Sequence, residues 1–249
     1  MEKIILAFTI SLIAGLSTCL GSLLTWFKPK NINNFISGAL AFSGTMMILI
    51  SITELIPEGF FYLNKRYSTF LAFLCLILML LLGIGINTYL NRKINKRVGE
   101  SVNLYKVGVL SMIALMIHNL PEGILTFLST TVDLKLGLKL ALTISLHNIP
   151  EGIAIAVPIY YSTNSHKRGV VASLISGLSE PLGALLAYLF LYKYITNTMI
   201  SIILLFVAGI MISISINDIF EESKKYSRKG ILIGVILAIV LTIISEFIF

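Results

Sequence analysis

The chain has 249 residues, of which 57% are hydrophobic and only 12% charged, and its mean hydropathy is +0.94. Much of any soluble surface must be wetted, so this composition excludes a water-soluble domain and makes lipid the natural solvent. The formal net charge of +7 would suit a nucleic-acid partner, but the placement of the basic residues argues against one.

A membrane span needs about 20 mostly apolar residues to cross a hydrocarbon core of roughly 30 Å. Eight segments qualify, at approximately 3–27, 34–57, 69–91, 106–129, 137–160, 168–191, 197–220 and 230–249. The apolar runs are continuous rather than alternating, which predicts helices and not a barrel. The expected fold is an all-α polytopic membrane protein, with residues 1–249 forming one transmembrane domain.

Span 1 reads as a mature span and not a cleaved signal, because Met1-Glu2-Lys3 is a weak basic start and the apolar run continues past Cys19. Cys19 and Cys75 lie inside spans without a CxxC partner and read as packing residues. Glu54 and Glu58, near the outer end of span 2, either draw cations to an entrance or are simply solvated. The stretch 91–106 reads as a solvated basic loop without histidine or cysteine. Thirteen of the 19 basic residues fall in alternate connections: after span 1, between spans 3 and 4, after span 5, and between spans 7 and 8. The positive-inside rule places those loops in the cytoplasm and both termini outside.

Spans 4 and 5 carry an internal repeat. Residues 118–124 read His-Asn-Leu-Pro-Glu-Gly-Ile and residues 147–153 read His-Asn-Ile-Pro-Glu-Gly-Ile, six identical positions of seven. The two spans are antiparallel neighbours, and both motifs lie about equally far from the turn near 130–136. They are expected to meet near the midplane.

Glu122, Glu151 and, in span 6, Glu180 are ionisable groups deep in the bilayer. Each costs roughly 2.5–3.5 kcal/mol on insertion scales. No Lys or Arg is expected at matching depth, so the countercharge must come from protons, water or a bound cation. Two of the three histidines, His118 and His147, precede Glu122 and Glu151 by four residues, which stacks each pair on one helix face. Two imidazoles with two carboxylates suit Zn²⁺ and related first-row ions better than Ca²⁺ or Mg²⁺. Pro121 and Pro150 cannot donate to the carbonyls of Ile117 and Leu146, so kinks are expected in helices 4 and 5. Gly123 and Gly152 permit close helix approach. Asn119 and Asn148 are candidate ligands or interhelical hydrogen-bonding groups. Asp218, Glu221 and Glu222 read as a solvated helix end, Glu246 as a snorkelling residue, and His166 as a non-ligand in a basic connection.

The paired motifs of spans 4 and 5, with Ser-Gly-Leu-Ser-Glu ending at Glu180, resemble the signature of the ZIP (Zrt/Irt-like) metal transporters, most closely its bacterial ZupT-like branch. The resemblance implies eight helices with outside termini in the cytoplasmic (inner) membrane of a bacterium, homodimers in contact with membrane lipids, and movement of Zn²⁺, Fe²⁺, Mn²⁺, Co²⁺ or Cd²⁺ into the cytoplasm. The metal is then substrate, with no prosthetic group. The resemblance further implies a two-metal site. The first ion takes His118, Glu122, His147 and Glu151; the second takes Asn119, Asn148 and Glu180 and shares Glu122 or Glu151. Some relatives carry Asp where this chain has Asn148, which leaves three carboxylates for two dications and predicts a weaker or transiently filled second site. The histidine-rich loop of many relatives is missing.

No P-loop is present, and the His-Glu-x-x-His pattern of intramembrane metalloproteases is absent, so the expected protein is not an enzyme. An intramembrane zinc hydrolase with another ligand arrangement is the alternative, and a metal receptor without transport is a third reading.

Overall fold

A computed structural model describes residues 2–26, 29–97, 104–194 and 196–248. In chain order the helices are α1 (Glu2–Leu23), α2 (Ile32–Ile50), α3 (Ile56–Arg66), α4 (Thr69–Arg97), α5 (Leu104–Val132), α6 (Leu134–Thr163), α7 (His166–Gly177), α8 (Ser179–Leu186), α9 (Asn197–Ile214), α10 (Phe220–Lys224) and α11 (Arg228–Ile248). There is no strand among the described residues. Seven helical stretches among the described residues are long and apolar enough to cross a membrane, and α11 adds a further apolar helix of 21 residues.

Local chemistry sets the helix starts. Asn31, Asp133, Ser165 and Thr196 stand in extended backbone, and their side chains accept from N–H groups in the first turn of α2, α6, α7 and α9. Asp133 is the single residue between α5 and α6, so these two helices fold back antiparallel with no slack. Asn164, at φ 51°, ends α6 in the left-handed conformation that Asn tolerates.

One expectation about connections is corrected. The basic stretch read as a loop over 91–106 is helical up to Arg97 and again from Leu104, with 98–103 outside the described residues. Span 6 is one apolar helical stretch, His166–Leu191, as expected, with a turn at Leu178 where α7 passes into α8. Pro181 supplies the reason: it has no N–H for the carbonyl of Gly177.

Three wide π-type turns were not foreseen. Ser51–Leu55 joins α2 to α3, Ala187–Leu191 follows α8, and Ser215–Ile219 joins α9 to α10. At the first, Pro57 cannot donate to Thr53, and the Ile56 N–H reaches back five residues to Ser51. The helix nevertheless continues, so span 2 is one run of 35 residues, Ile32–Arg66.

Helices α1, α5, α6, α7 and α8 pack on one another; α3 and α4 pack on α9, and α11 on α2. The main apolar core draws on α1, α2, α5, α6 and α9 through Ala14, Met47, Leu125, Ile144 and Leu204. Outward faces are apolar too, most plainly on α4, where Phe70 is 79% exposed. That inversion of a soluble fold is what lipid solvent requires. At the far end of α1, the His166 ring stacks on Trp26 and on Tyr160, each at a centroid distance of 4.3 Å. The Thr25 hydroxyl lies 3.0 Å from His166 Nδ1.

Candidate metal site

The one-residue α5–α6 turn brings the repeated motifs side by side. His147 Nε2 on α6 lies 3.1 Å from Glu122 Oε1 on α5. Glu122, His147 and Glu151 are each at most 1% exposed, as are Asn119, Asn148 and Glu180. The backbone of His118 sits in α5 one residue before Asn119; its side chain lies outside the described residues. Both α5 and α6 run unbroken through their motif prolines, Pro121 and Pro150.

Span 6 joins through α8. Glu180 sits in the first turn of α8, directly after the break at Leu178, and its Oε1 accepts a short hydrogen bond from Asn148 Nδ2. Pro181 therefore does more than end a helix: it sets the turn that delivers a third carboxylate to α5 and α6. The close approach is visible at Gly123, where a Cβ would lie 1.9 Å from the Glu180 carbonyl oxygen. At Gly152 a Cβ would lie 1.8 Å from the carbonyl oxygen of Thr18. Both motif glycines are thus packing requirements, as expected from their sequence positions.

Helix α1 was missed at the sequence level. Asn148 Nδ2 also donates to the Ala14 carbonyl at 3.0 Å, so α1 forms a wall of the site. Its sequence gives only a faint signal, the small residues Ala14, Gly15 and Thr18 among larger apolar ones. Helix α2 contributes Ser43, whose hydroxyl donates to the His147 carbonyl at 3.4 Å.

Six of the seven expected ligands therefore have described side chains, and all six are buried on α5, α6 and α8. Among the described residues no group of three or more His, Cys, Asp or Glu is drawn close enough to form a ready-made metal cage. The amide of Asn119, Asn148 Oδ1 and Glu180 Oε2 have no hydrogen-bond partner among the described residues. An unpaired buried polar atom costs about 1–3 kcal/mol, so the cluster favours a polar or cationic occupant.

The remaining acidic candidates sit elsewhere. Glu54, in the π-type turn after α2, has its Oε1 3.3 Å from Lys139 Nζ on α6. Glu221 and Glu222 pair with Lys224 and Lys225 at a solvated helix end, as expected. Asp218 lies in the π-type turn before α10. The side chain of Glu246 is outside the described residues.

A family model described as "ZIP Zinc transporter" matches residues 89–242. The chain is 37% identical over 243 residues to the zinc transporter ZupT of Oceanobacillus iheyensis, covering 91% of each chain. It is 36% identical to the zinc transporter ZupT of Lysinibacillus sphaericus and 35% identical to that of Streptococcus mutans serotype c, each with 90% of both chains covered.

Proposed function

The chain belongs to the ZIP family of zinc transporters, and from that premise we propose that it passes Zn²⁺ and related divalent ions through the site built by α5, α6 and α8. It is a multi-pass membrane transporter of divalent metal ions and not an enzyme. Nothing favours the hydrolase alternative.

The observation that carries the site assignment is the contact of Glu122 with His147, one residue from each motif copy, in a fully buried position. Two carboxylates and an imidazole there, with His118 one residue from Asn119, form the donor set for a first dication. Asn119, Asn148 and Glu180 form the second position, with Glu122 or Glu151 shared. Asn148 brings no charge, so the second ion is held more weakly and passes on. The Asn148–Glu180 hydrogen bond supports this order, because an ion bound there must displace an existing partner.

Transport runs inward from the Asp133 end, with eight spans, both termini outside and the basic connections in the cytoplasm of a bacterial cell. The freed carbonyls of Ile117 and Leu146, beside bends at Pro121 and Pro150, add oxygen donors near the path. The protein works as a homodimer within the lipid. Because imidazole and carboxylate bind metal only when deprotonated, acid competes with the substrate.

The test is dye-monitored zinc flux into proteoliposomes. His147→Ala and Glu151→Ala are each expected to abolish it. Unchanged flux in both would remove the assignment.

A further inference from the structure

His166 takes no part in the metal site, yet its ring is held on three sides. Trp26 and Tyr160 both stack on it, each at a centroid distance of 4.3 Å, with interplanar angles of 10° and 23°. Two rings that near and that parallel must take opposite faces. At the edge of the ring, Nδ1 lies 3.0 Å from the Thr25 hydroxyl. That hydroxyl already donates its one proton to the Ser22 carbonyl at 2.8 Å, so toward the imidazole it can only accept. The tautomer follows: Nδ1 carries the hydrogen and Nε2 keeps its lone pair. No hydrogen bond occupies Nε2 among the described residues. A ring held this way can take a proton at Nε2 without giving up any contact.

The charged surroundings are basic throughout. Residues 17–31 and 155–170, which supply this corner, hold no Asp or Glu. Lys167 and Arg168 follow His166 on α7 and are exposed. Lys28 and Lys30 follow Trp26 in the chain; Lys30 is exposed, and Lys28 is outside the described residues. From α5, whose Gly108 packs on Ile159, the nearest titratable groups are Tyr105 and Lys106, the latter with its side chain outside the described residues. Tyr161 packs edge-on against Tyr160. His166 is also the first residue of α7, the positive end of that helix. No carboxylate therefore stands ready to neutralise a charged ring. What favours the imidazolium is the pair of π faces, both well inside the 6 Å over which a cation is attracted to an aromatic ring.

The stack joins three elements that also build the metal site. Trp26 and Thr25 end the α1 segment, Tyr160 belongs to α6, and His166 opens the α7 segment that leads into Glu180. Histidine is the side chain that ordinarily changes charge between pH 5 and 8. We propose that His166 is a proton-operated clasp: a proton at Nε2 turns the stack of neutral rings into a cation held between two π faces, and fastens the end of α1 to α6 and α7. On the transport reading given above, on which this role rests, the corner faces the cytoplasm. A fastened clasp keeps these helices together at the end where the ion leaves, so acid on that side slows release.

The test uses the full-length protein. In the metal-free, detergent-purified wild type, emission from Trp26, the one tryptophan of the chain, is expected to titrate in a single step between pH 8 and pH 5. His166→Phe keeps a stacked ring that cannot take a proton and should abolish the step, whereas His147→Ala should keep it. Emission flat with pH in the wild type, or the same step in His166→Phe, would overturn the clasp. Zinc flux into proteoliposomes is the functional arm. His166→Phe is expected to match wild type within twofold at pH 7.5 and to exceed it at least threefold at pH 5.5. Acid competition at the metal ligands is common to both proteins and cancels from that ratio. Equal flux at pH 5.5 would end the proposal. Should His166→Phe fold poorly, Tyr160→Leu decides: with one π face gone, the midpoint of the Trp26 step should move to lower pH, and an unmoved midpoint rejects the clasp. Normal flux in both His147→Ala and Glu151→Ala removes the transport reading and leaves the Trp26 titration standing. Lost flux in those variants beside a flat titration removes the clasp alone.

Discussion

His147 Nε2 lies 3.1 Å from Glu122 Oε1, so each copy of the repeated motif holds on to a side chain of the other. The contact crosses from α6 to α5 in a fully buried position, where a lone carboxylate would be costly. Glu122→Gln keeps the shape and a hydrogen bond to the imidazole but removes the negative charge. It is expected to fold as wild type and to weaken zinc binding by at least tenfold, read by isothermal calorimetry of the detergent-purified protein.

The motif glycines make a packing prediction. A Cβ at Gly152 would lie 1.8 Å from the Thr18 carbonyl oxygen, and one at Gly123 would lie 1.9 Å from that of Glu180. Both obstacles are backbone and cannot swing away. Gly152→Ala and Gly123→Ala must therefore push α1 or α8 outward, at a cost of about 1–3 kcal/mol or more for overpacking. The melting temperature in detergent is expected to fall in both, while Gly85→Ala, which meets nothing within 4 Å, leaves it unchanged.

Asn148 offers a gain of function. Its amide donates to both Ala14 and Glu180, and it contributes no charge. Asn148→Asp removes those donors and sets a second carboxylate beside Glu180. The metal-free protein is expected to melt lower than wild type. Zinc should raise its melting temperature more than it raises that of wild type, because tighter binding to the native state stabilises by linkage. Bound zinc per chain, measured by elemental analysis, should rise as well.

The Glu54–Lys139 pair joins the π-type turn after α2 to α6, with side-chain exposures of 11% and 35%. A half-wet pair of this kind contributes about 0–1 kcal/mol to stability. On the proposed inward route, its larger effect is to occupy a carboxylate near the entrance. Lys139→Gln is expected to leave the melting temperature within a degree or two and to lower KM for zinc flux about two- to threefold at low salt. Glu54→Gln should raise it. High ionic strength should shrink both differences.

Much of this molecule is legible in its sequence because lipid simplifies the code. Long apolar runs give the helices, and Asp133 between two of them gives the antiparallel pair that carries the motifs. Glu122, His147 and Glu151 stand out because charge in hydrocarbon needs a reason. The division of span 6 was readable from Pro181, four residues after Gly177, but an apolar run conceals where its helix breaks. The π-type turn at Ser51–Leu55 was likewise half visible through Pro57, whereas those at Ala187–Leu191 and Ser215–Ile219 have no proline to announce them. The role of α1 was hidden for a different reason. It acts through the carbonyls of Ala14 and Thr18, and a backbone group leaves no mark on residue type.

Trp26 is the sole tryptophan of the chain, and it lies against the His166 ring at an interplanar angle of 10°. Indole emission responds to the ring stacked on it, and a shift of α7 against α1 would separate the two rings. The protein thus carries an intrinsic fluorophore at the junction of α1, α6 and α7, and its brightness offers a label-free optical record of that corner while ions cross.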